Sequence, residues 1–484
     1  MHDDPQPVGT PVDRGTGPGA VTSLACRNVV HRLWTQDFSE VVVRTPVNPG
    51  ASGDAREVLR LAVPAFLALV AEPAFLLADS VIVGHLGTVP LAGLGVASAA
   101  LATAANVFIF LAYGTTAAVA RRAGAGDLRG ALGLGVDGVW LALVLGAAAG
   151  ALLLVTAPDV VRLFGASPEA TDAAVTYLRI SAFGIPGMLV VLASTGVLRG
   201  LQDTRTPLAV AVAGFGSNAV LNVLFVYGAG LGIGGSALGT VLAQTGMAAA
   251  LLTVVVRGVR REGGHLRSRP LRVLSAARDG APLLVRTLAL RAVLLLTTWV
   301  AASGGDVTLA SYQVAATIWS FLAFALDALA IAAQALTGAS LGAGDVPRTR
   351  SLTALMVRWG VLGGVGSGLV VLALHRALPV LFTGQPDVRH ALSSALIVIG
   401  LTVPLSGLVF VLDGVLIGAG DGRWLAFAQV GMLVAYLPVA LAVHAHGVTP
   451  ALLWWGFTTF MLFRALALTW RARGDVWTVV GATR

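Results

Sequence analysis

Twelve long apolar runs, separated by short loops, constrain this chain more than any other feature of it. A helix needs about 20 predominantly apolar residues to cross a bilayer. Runs of that kind occur at 59–83, 91–119, 131–156, 172–198, 206–228, 234–256, 281–301, 307–340, 352–373, 391–418, 423–443 and 449–470. Hydrocarbon offers no water to backbone N–H and C=O groups, so each run must satisfy its own and is predicted to be helical. The expected fold is an all-α integral membrane protein. Charged residues make up 12% of the chain, about half the share found in soluble domains.

The same composition excludes several kinds of function. The net charge of +8 comes from Arg residues scattered between apolar runs, so it builds no nucleic-acid patch. The single cysteine, Cys26, rules out an internal disulfide and a thiolate metal cluster. His444 and His446 fall at an outer loop without ligand spacing. No P-loop is present, so ATP is not the energy source within this chain. The chain is expected to be neither an enzyme nor a holder of a cofactor or resident metal.

Charge alternates from loop to loop. Arg121, Arg122 and Arg129 follow the second run, Arg199 and Arg205 the fourth, Arg348 and Arg350 the eighth, Arg423 the tenth, and Arg471 and Arg473 the last. The opposite loops hold only Arg162, Arg376 and Arg389. Basic loops mark the cytoplasmic side, so both termini are expected there, in a multi-pass protein of the cytoplasmic (inner) membrane. Residues 1–55, rich in Pro, Gly, Asp and Thr, read as a disordered cytoplasmic tail. A basic linker at 257–280 divides two six-helix lobes, 56–256 and 281–471, and 472–484 form a C-terminal cytoplasmic tail. The lobes echo each other. Gly124-Ala125-Gly126-Asp127 is matched by Gly342-Ala343-Gly344-Asp345, and Val197-Leu198-Arg199-Gly200 by Val411-Leu412-Asp413-Gly414. An even number of helices per half makes this a parallel repeat, of the kind that holds substrate between its halves and works by alternating access.

Against this background Asp79, inside the first run, is the most informative side chain. A charge in hydrocarbon costs about 2.5–3.5 kcal/mol on insertion scales, so such a group persists where it faces protein or a wet cavity, often as part of an ion or proton path. A rise of about 1.5 Å per residue puts Asp79, Asn218, Asn222 and Thr240 at one depth, in the outer half of the first lobe. An acid flanked by amides and a hydroxyl can be satisfied in both protonation states. The bland alternative is an interhelical hydrogen-bond cluster, worth about 0.6–2 kcal/mol per pair. Glu72 lies two turns below Asp79, near mid-membrane, and is grouped with the coupling residues. Pro64, fifteen residues before Asp79, can kink the first helix. In the second lobe Asp327, Asp413, Arg286 and Arg291 suggest architectural pairing, with Arg286 able to snorkel to the interface.

These segments resemble a known family, the multidrug and toxic compound extrusion (MATE) transporters, in their DinF-like branch. The resemblance is carried by LADSVIVGHLGTVPLAGLGVA at 77–97, YGTTAAVARRAGAGD at 113–127, GVLRGLQDTRTPL at 196–208 and NAVLNVLFVYGAGLGIGGSALGT at 218–240. In the second half it continues through VRTLAL at 285–290, ALDALAIAAQALTGASLGAGD at 325–345 and VLDGVLIGAGD at 411–421. It implies two six-helix lobes forming a V, and export of lipophilic or cationic small molecules against inward H⁺ or Na⁺. It also implies coupling roles for Asp79, Pro64, Asn218 and Thr240. The chain departs from the family pattern at Asn222, where an acid is usual. That departure favours H⁺ and leaves Na⁺ at Asp79 as the other candidate. Expected partners are the substrate, the coupling ion and the bilayer, with no nucleic acid, for a monomer. A lipid-linked-precursor flippase on a related two-lobe scaffold, and a non-transporting structural or signalling membrane protein, are the alternatives.

Overall fold

The computed structural model describes residues 51–165 and 167–483. The first lobe contains α1 (Ala51–Gly84), α2 (Thr88–Phe108), α3 (Phe110–Gly124), α4 (Leu128–Arg162), α5 (Pro168–Ala182), α6 (Ile185–Gly200), α7 (Arg205–Val223) and α8 (Gly232–Arg261). The second contains α9 (Pro270–Ser303), α10 (Asp306–Gly342), α11 (Val346–Leu374), the short α12 (Leu378–Phe382), α13 (Pro386–Gly418), α14 (Gly422–Ala445) and α15 (Pro450–Arg473). Among the described residues, eleven spans are long and apolar enough to cross a membrane, and α5 with α6 make a twelfth, bent by 54°. The bend falls at Phe183-Gly184, just before Pro186, which has no N–H to continue the helical ladder. Large apolar side chains such as Leu152, Val155, Leu381 and Phe427 are exposed around the outside, as a lipid-facing surface requires.

The matched Gly-Ala-Gly-Asp segments are paired helix stops and starts. Gly126 (φ 79°) and Gly344 (φ 80°) adopt the left-handed conformation that ends a helix. The next residue caps the following one: Asp127 accepts from Gly130 N at 2.7 Å and Asp345 from Arg348 N at 2.9 Å. The two segments lie 218 residues apart (Gly124 to Gly342). The same offset relates the turns after α6 and α13, where Gln202 (φ 61°) corresponds to Gly420 (φ 73°). In those turns Asp203 N donates to Leu198 O and Asp421 N to Leu416 O. The structural counterpart of Val197–Gly200 is therefore Val415–Gly418, one helical turn beyond the segment matched by sequence.

The expected boundaries shift at three places. Residues 51–55, expected in the tail, belong to α1; residues 1–50, with Cys26, lie outside the described residues. The 257–280 linker shrinks to 262–269, because α8 runs to Arg261 and α9 starts at Pro270. A helix keeps its own backbone satisfied, so its Arg-bearing ends can extend beyond the hydrocarbon. Residues 474–483 pack back onto the protein, burying Trp477 to 1% exposure.

The lobes meet on the Arg-rich face. A Cβ on Gly124 would lie 2.0 Å from Ala339 O, and one on Gly342 2.0 Å from Arg121 O. Only glycine allows the ends of α3 and α10 to touch backbone to backbone there. Gln334 Nε2 donates to Tyr113 O at 2.9 Å, Arg348 pairs with Glu57 at 2.8 Å, and Ala65 packs against Ala328 and Ile331.

Candidate functional site

Four helices bring polar side chains together near the end of the first lobe opposite the Arg-rich face. α1 supplies Asp79, five residues before its end; α5 supplies Tyr177; α7 supplies Asn218 and Asn222; α8 supplies Ser236 and Thr240. All six are buried, Asp79 to 2% exposure. Asp79 Oδ1 accepts from Ser236 Oγ at 2.6 Å and from Asn222 Nδ2 at 2.8 Å. Its Oδ2 accepts a long bond from Tyr177 Oη at 3.4 Å. Asn218 Nδ2 donates to Thr240 Oγ1 at 3.1 Å. That pair stands beside the acid and makes no bond to it.

The local sequence of α8 explains how the site closes. Gly235-Ser236 and Gly239-Thr240 repeat after four residues, so two glycines and two small hydroxyl residues share one face. A Cβ on Gly239 would lie 2.1 Å from Asn222 Oδ1, and one on Gly235 2.7 Å from the Phe225 carbonyl carbon. Small residues allow the two helices to approach closely in a membrane. After Asn222, α7 widens into a π-helical turn over Leu224–Gly228, a feature frequent at functional sites. Tyr227 in that turn donates to Ile82 O at 2.5 Å and ties it to the end of α1.

The acid is satisfied as a carboxylate by three donors. Two acceptors in the site, Asn218 Oδ1 and Asn222 Oδ1, have no partner. A neutral carboxyl carries a proton to donate, and the Asn222 amide that faces Asp79 can turn its oxygen to accept it. Hydroxyls rotate and an amide can turn over, so the cluster can accommodate either state.

The other expected coupling groups are placed differently. Glu72 is exposed and makes no hydrogen bond or ion pair among the described residues, so it stands outside the Asp79 cluster. α1 runs unbroken through Pro64 and through Pro73, which is closer to Asp79. In the second lobe, Asp413 is gripped by Arg286 through two nitrogens, and by Arg464 Nη2 at 3.1 Å. Arg286 therefore does not snorkel: it is buried and paired. Arg291 and Asp327 are half-buried and, among the described residues, do not pair with each other. Ser236, Tyr177 and Arg464 join these networks without having been expected there. Ser236 is within reach of sequence, one turn before Thr240 on the same face. Nothing in the sequence points to Tyr177, whose contact crosses between helices.

The family model MatE matches residues 64–224 and 282–442, two equal stretches at the offset that relates the lobes. Protein DETOXIFICATION 44, chloroplastic, of Arabidopsis thaliana is 32% identical over 441 residues, covering 88% of this chain and 83% of its own. DNA damage-inducible protein F of Escherichia coli (strain K12) is 26% identical over 458 residues, covering 91% of this chain and 97% of its own. The MATE transporter of Vibrio cholerae in the bent form aligns with a TM-score of 0.79 at 20% identity. That alignment covers 88% of this chain and 99% of that one, and it speaks to the fold. At this offset Asp79 corresponds to Thr297 and Asn218 to Tyr436. Those two second-lobe residues share a 2.9 Å hydroxyl–hydroxyl bond. The equivalent site in the second lobe is thus neutral.

Proposed function

The chain belongs to the MatE family of membrane transporters, and from that premise we propose that it is a proton-coupled antiporter exporting lipophilic or cationic small molecules, with Asp79 as the coupling group. The observation that carries this is a buried acid with three donors for its charged form and, facing it, the Asn222 amide, whose partnerless oxygen can turn to accept from its neutral form. A group built only to hold helices together needs one of those states.

The proposed cycle follows from this geometry. From the outer side a proton reaches Asp79, removes its charge and changes which neighbours donate and which accept. Asp79 is bonded to α5, α7 and α8, so this exchange loosens or tightens α1 against three helices at once. Pro64 and Pro73 leave α1 places to bend, changing its packing against α5, α7 and α8 so that substrate leaves outward. Loss of the proton toward the cytoplasm restores the carboxylate and its three donors. Proton and substrate are coupled because each favours one of two arrangements of the same helix. Na⁺ would find a single carboxylate here, with amide and hydroxyl oxygens around it, which makes H⁺ the better match to the donor-rich cluster. The protein is placed by this reading in the cytoplasmic membrane as a monomer, with its Arg-rich face and both termini inward.

The test is uptake of labelled cationic dyes into vesicles holding the reconstituted protein, under an imposed pH gradient or an imposed Na⁺ gradient. Asp79→Asn keeps the size and polarity of the side chain but cannot release a proton. It is expected to fold and insert, and to lose pH-driven accumulation. Wild-type pH-driven transport by Asp79→Asn would refute the mechanism. Na⁺-driven uptake at zero pH gradient, lost in the same variant, would keep the site and replace the ion.

A further inference from the structure

On the Arg-rich face the ten residues after α15 do something the family repeat does not account for. Asp475 pairs with Arg350 of α11, and Trp477 is buried while its Nε1 donates to Ala472 O at 2.9 Å. Gly481, at φ 106°, donates its N–H to Leu341 O of α10 at 3.0 Å. These contacts fasten the segment to the second lobe at both of its ends. Its grip on the first lobe is made through Arg121, at the end of α3. Arg121 Nη2 donates to Val479 O at 2.7 Å and to Thr483 O at 3.4 Å, while Nη1 donates to Ala419 O, just past α13, at 2.9 Å. A buried guanidinium of the first lobe therefore sits in a socket of second-lobe carbonyls.

The surroundings make this socket a fastening for the joint between the lobes. The backbone-to-backbone contacts of Gly124 with Ala339 and of Gly342 with Arg121 surround it. Arg121 corresponds to Ala339 in the repeat, so the arginine has no equivalent in the other lobe and the socket is not a duplicated packing device. A guanidinium offers five N–H donors in a fixed fork and never loses its charge, so several carbonyls can share it. Hydrogen bonds to a charged group are worth about twice neutral ones. Withdrawing Arg121 leaves three carbonyls needing new donors, and water can supply them only once the face has opened.

We propose that residues 474–483 form a strap that holds the Arg-rich face shut by clasping Arg121, and that this face opens only as Arg121 leaves its socket. The proposal rests on the two-lobe alternating-access reading but not on the identity of the coupling ion. The strap travels with the second lobe, so the length of time the face stays closed is set by a contact outside the helical bundle.

The test is double electron–electron resonance on the reconstituted full chain. Spin labels are carried at Arg129→Cys in the first lobe and Arg423→Cys in the second, with Cys26→Ser as background. Both labelled positions are exposed on this face. The parent is expected to show one dominant short distance. Ending the chain after Gly474, or Arg121→Ala, is expected to raise the ratio of long to short distances at least tenfold. Combining the two is expected to match Arg121→Ala alone, because truncation removes two of the three carbonyls that Arg121 holds, Val479 and Thr483, and leaves only Ala419. Unchanged distances in either single variant, or additive effects in the pair, would overturn the strap. If truncation costs folding, Gly481→Ala unseats the strap end alone, since alanine is strained at that φ; the same shift is expected, and no shift overturns the proposal. The transport reading is decided separately by Asp79→Asn, so an intact closed population without the strap removes the strap and leaves that reading untouched.

Discussion

Replacing Asp413 by Asn tests whether the charges of the second lobe are architecture. The side chain keeps its shape, but the two guanidiniums it neutralises, Arg286 at 6% exposure and Arg464 at 5%, are left facing one another. In the parent, Arg286 contacts both carboxylate oxygens and Arg464 Nη2 lies 3.1 Å from Oδ2. Breaking one buried ion pair by removing a partner costs about 3–5 kcal/mol. Here one change breaks two and leaves like charges together, so the loss should reach at least the upper end, about 5 kcal/mol. The flanking rings soften it little: Arg286 stands 6.0 Å from the Tyr113 centroid and Arg464 5.9 Å from that of Phe460. Arg464→Met is the control. It leaves a one-to-one Arg286–Asp413 pair with no uncompensated buried charge and fills the space with an apolar chain of similar length, so its cost should fall well below that of Asp413→Asn. Thermal unfolding of the purified proteins in one detergent, with folded yield from the membrane, reads both. Asp413→Asn is expected to give little folded protein and Arg464→Met a midpoint well above that variant's. A stable Asp413→Asn protein that has lost transport would refute the architectural assignment and move this network into the transport path.

Three further outcomes follow from the first-lobe site and its neutral counterpart. Ser236→Ala removes the shortest donor to Asp79, 2.6 Å away; a hydrogen bond to a charged group is worth about 1.5–3 kcal/mol, so initial rates of pH-driven dye uptake should fall about tenfold or more. Gly239→Ala puts a methyl 2.1 Å from Asn222 Oδ1, and should cost about 1–3 kcal/mol as overpacking and disable transport, measured by melting and uptake together. Thr297→Val deletes the hydroxyl that meets Tyr436 at 2.9 Å; it should lower stability by about 1 kcal/mol while leaving pH-driven uptake at the parental rate, since the corresponding second-lobe site holds no acid.

The number of spans, the repeat and the depth of each polar residue are legible in the amino-acid order alone. Hydrocarbon thickness and the fixed rise of a helix set position along the membrane normal, which is why Asp79, Asn218, Asn222 and Thr240 group together on sequence alone. Neither rule sets rotation about the helix axis or the choice of neighbour. Those come from packing, through the Gly235 and Gly239 face of α8 and the bend between α5 and α6. Packing joins Asp79 to Asn222, Ser236 and Tyr177, and pairs Asn218 with Thr240 instead. It leaves Glu72 exposed although it lies seven residues, nearly two full turns, from Asp79. It also brings Arg464 to Asp413 across 51 residues of chain and Val479 to Arg121 across 358. Contacts of that kind depend on the surfaces of helices far apart in sequence, and only the assembled bundle decides them.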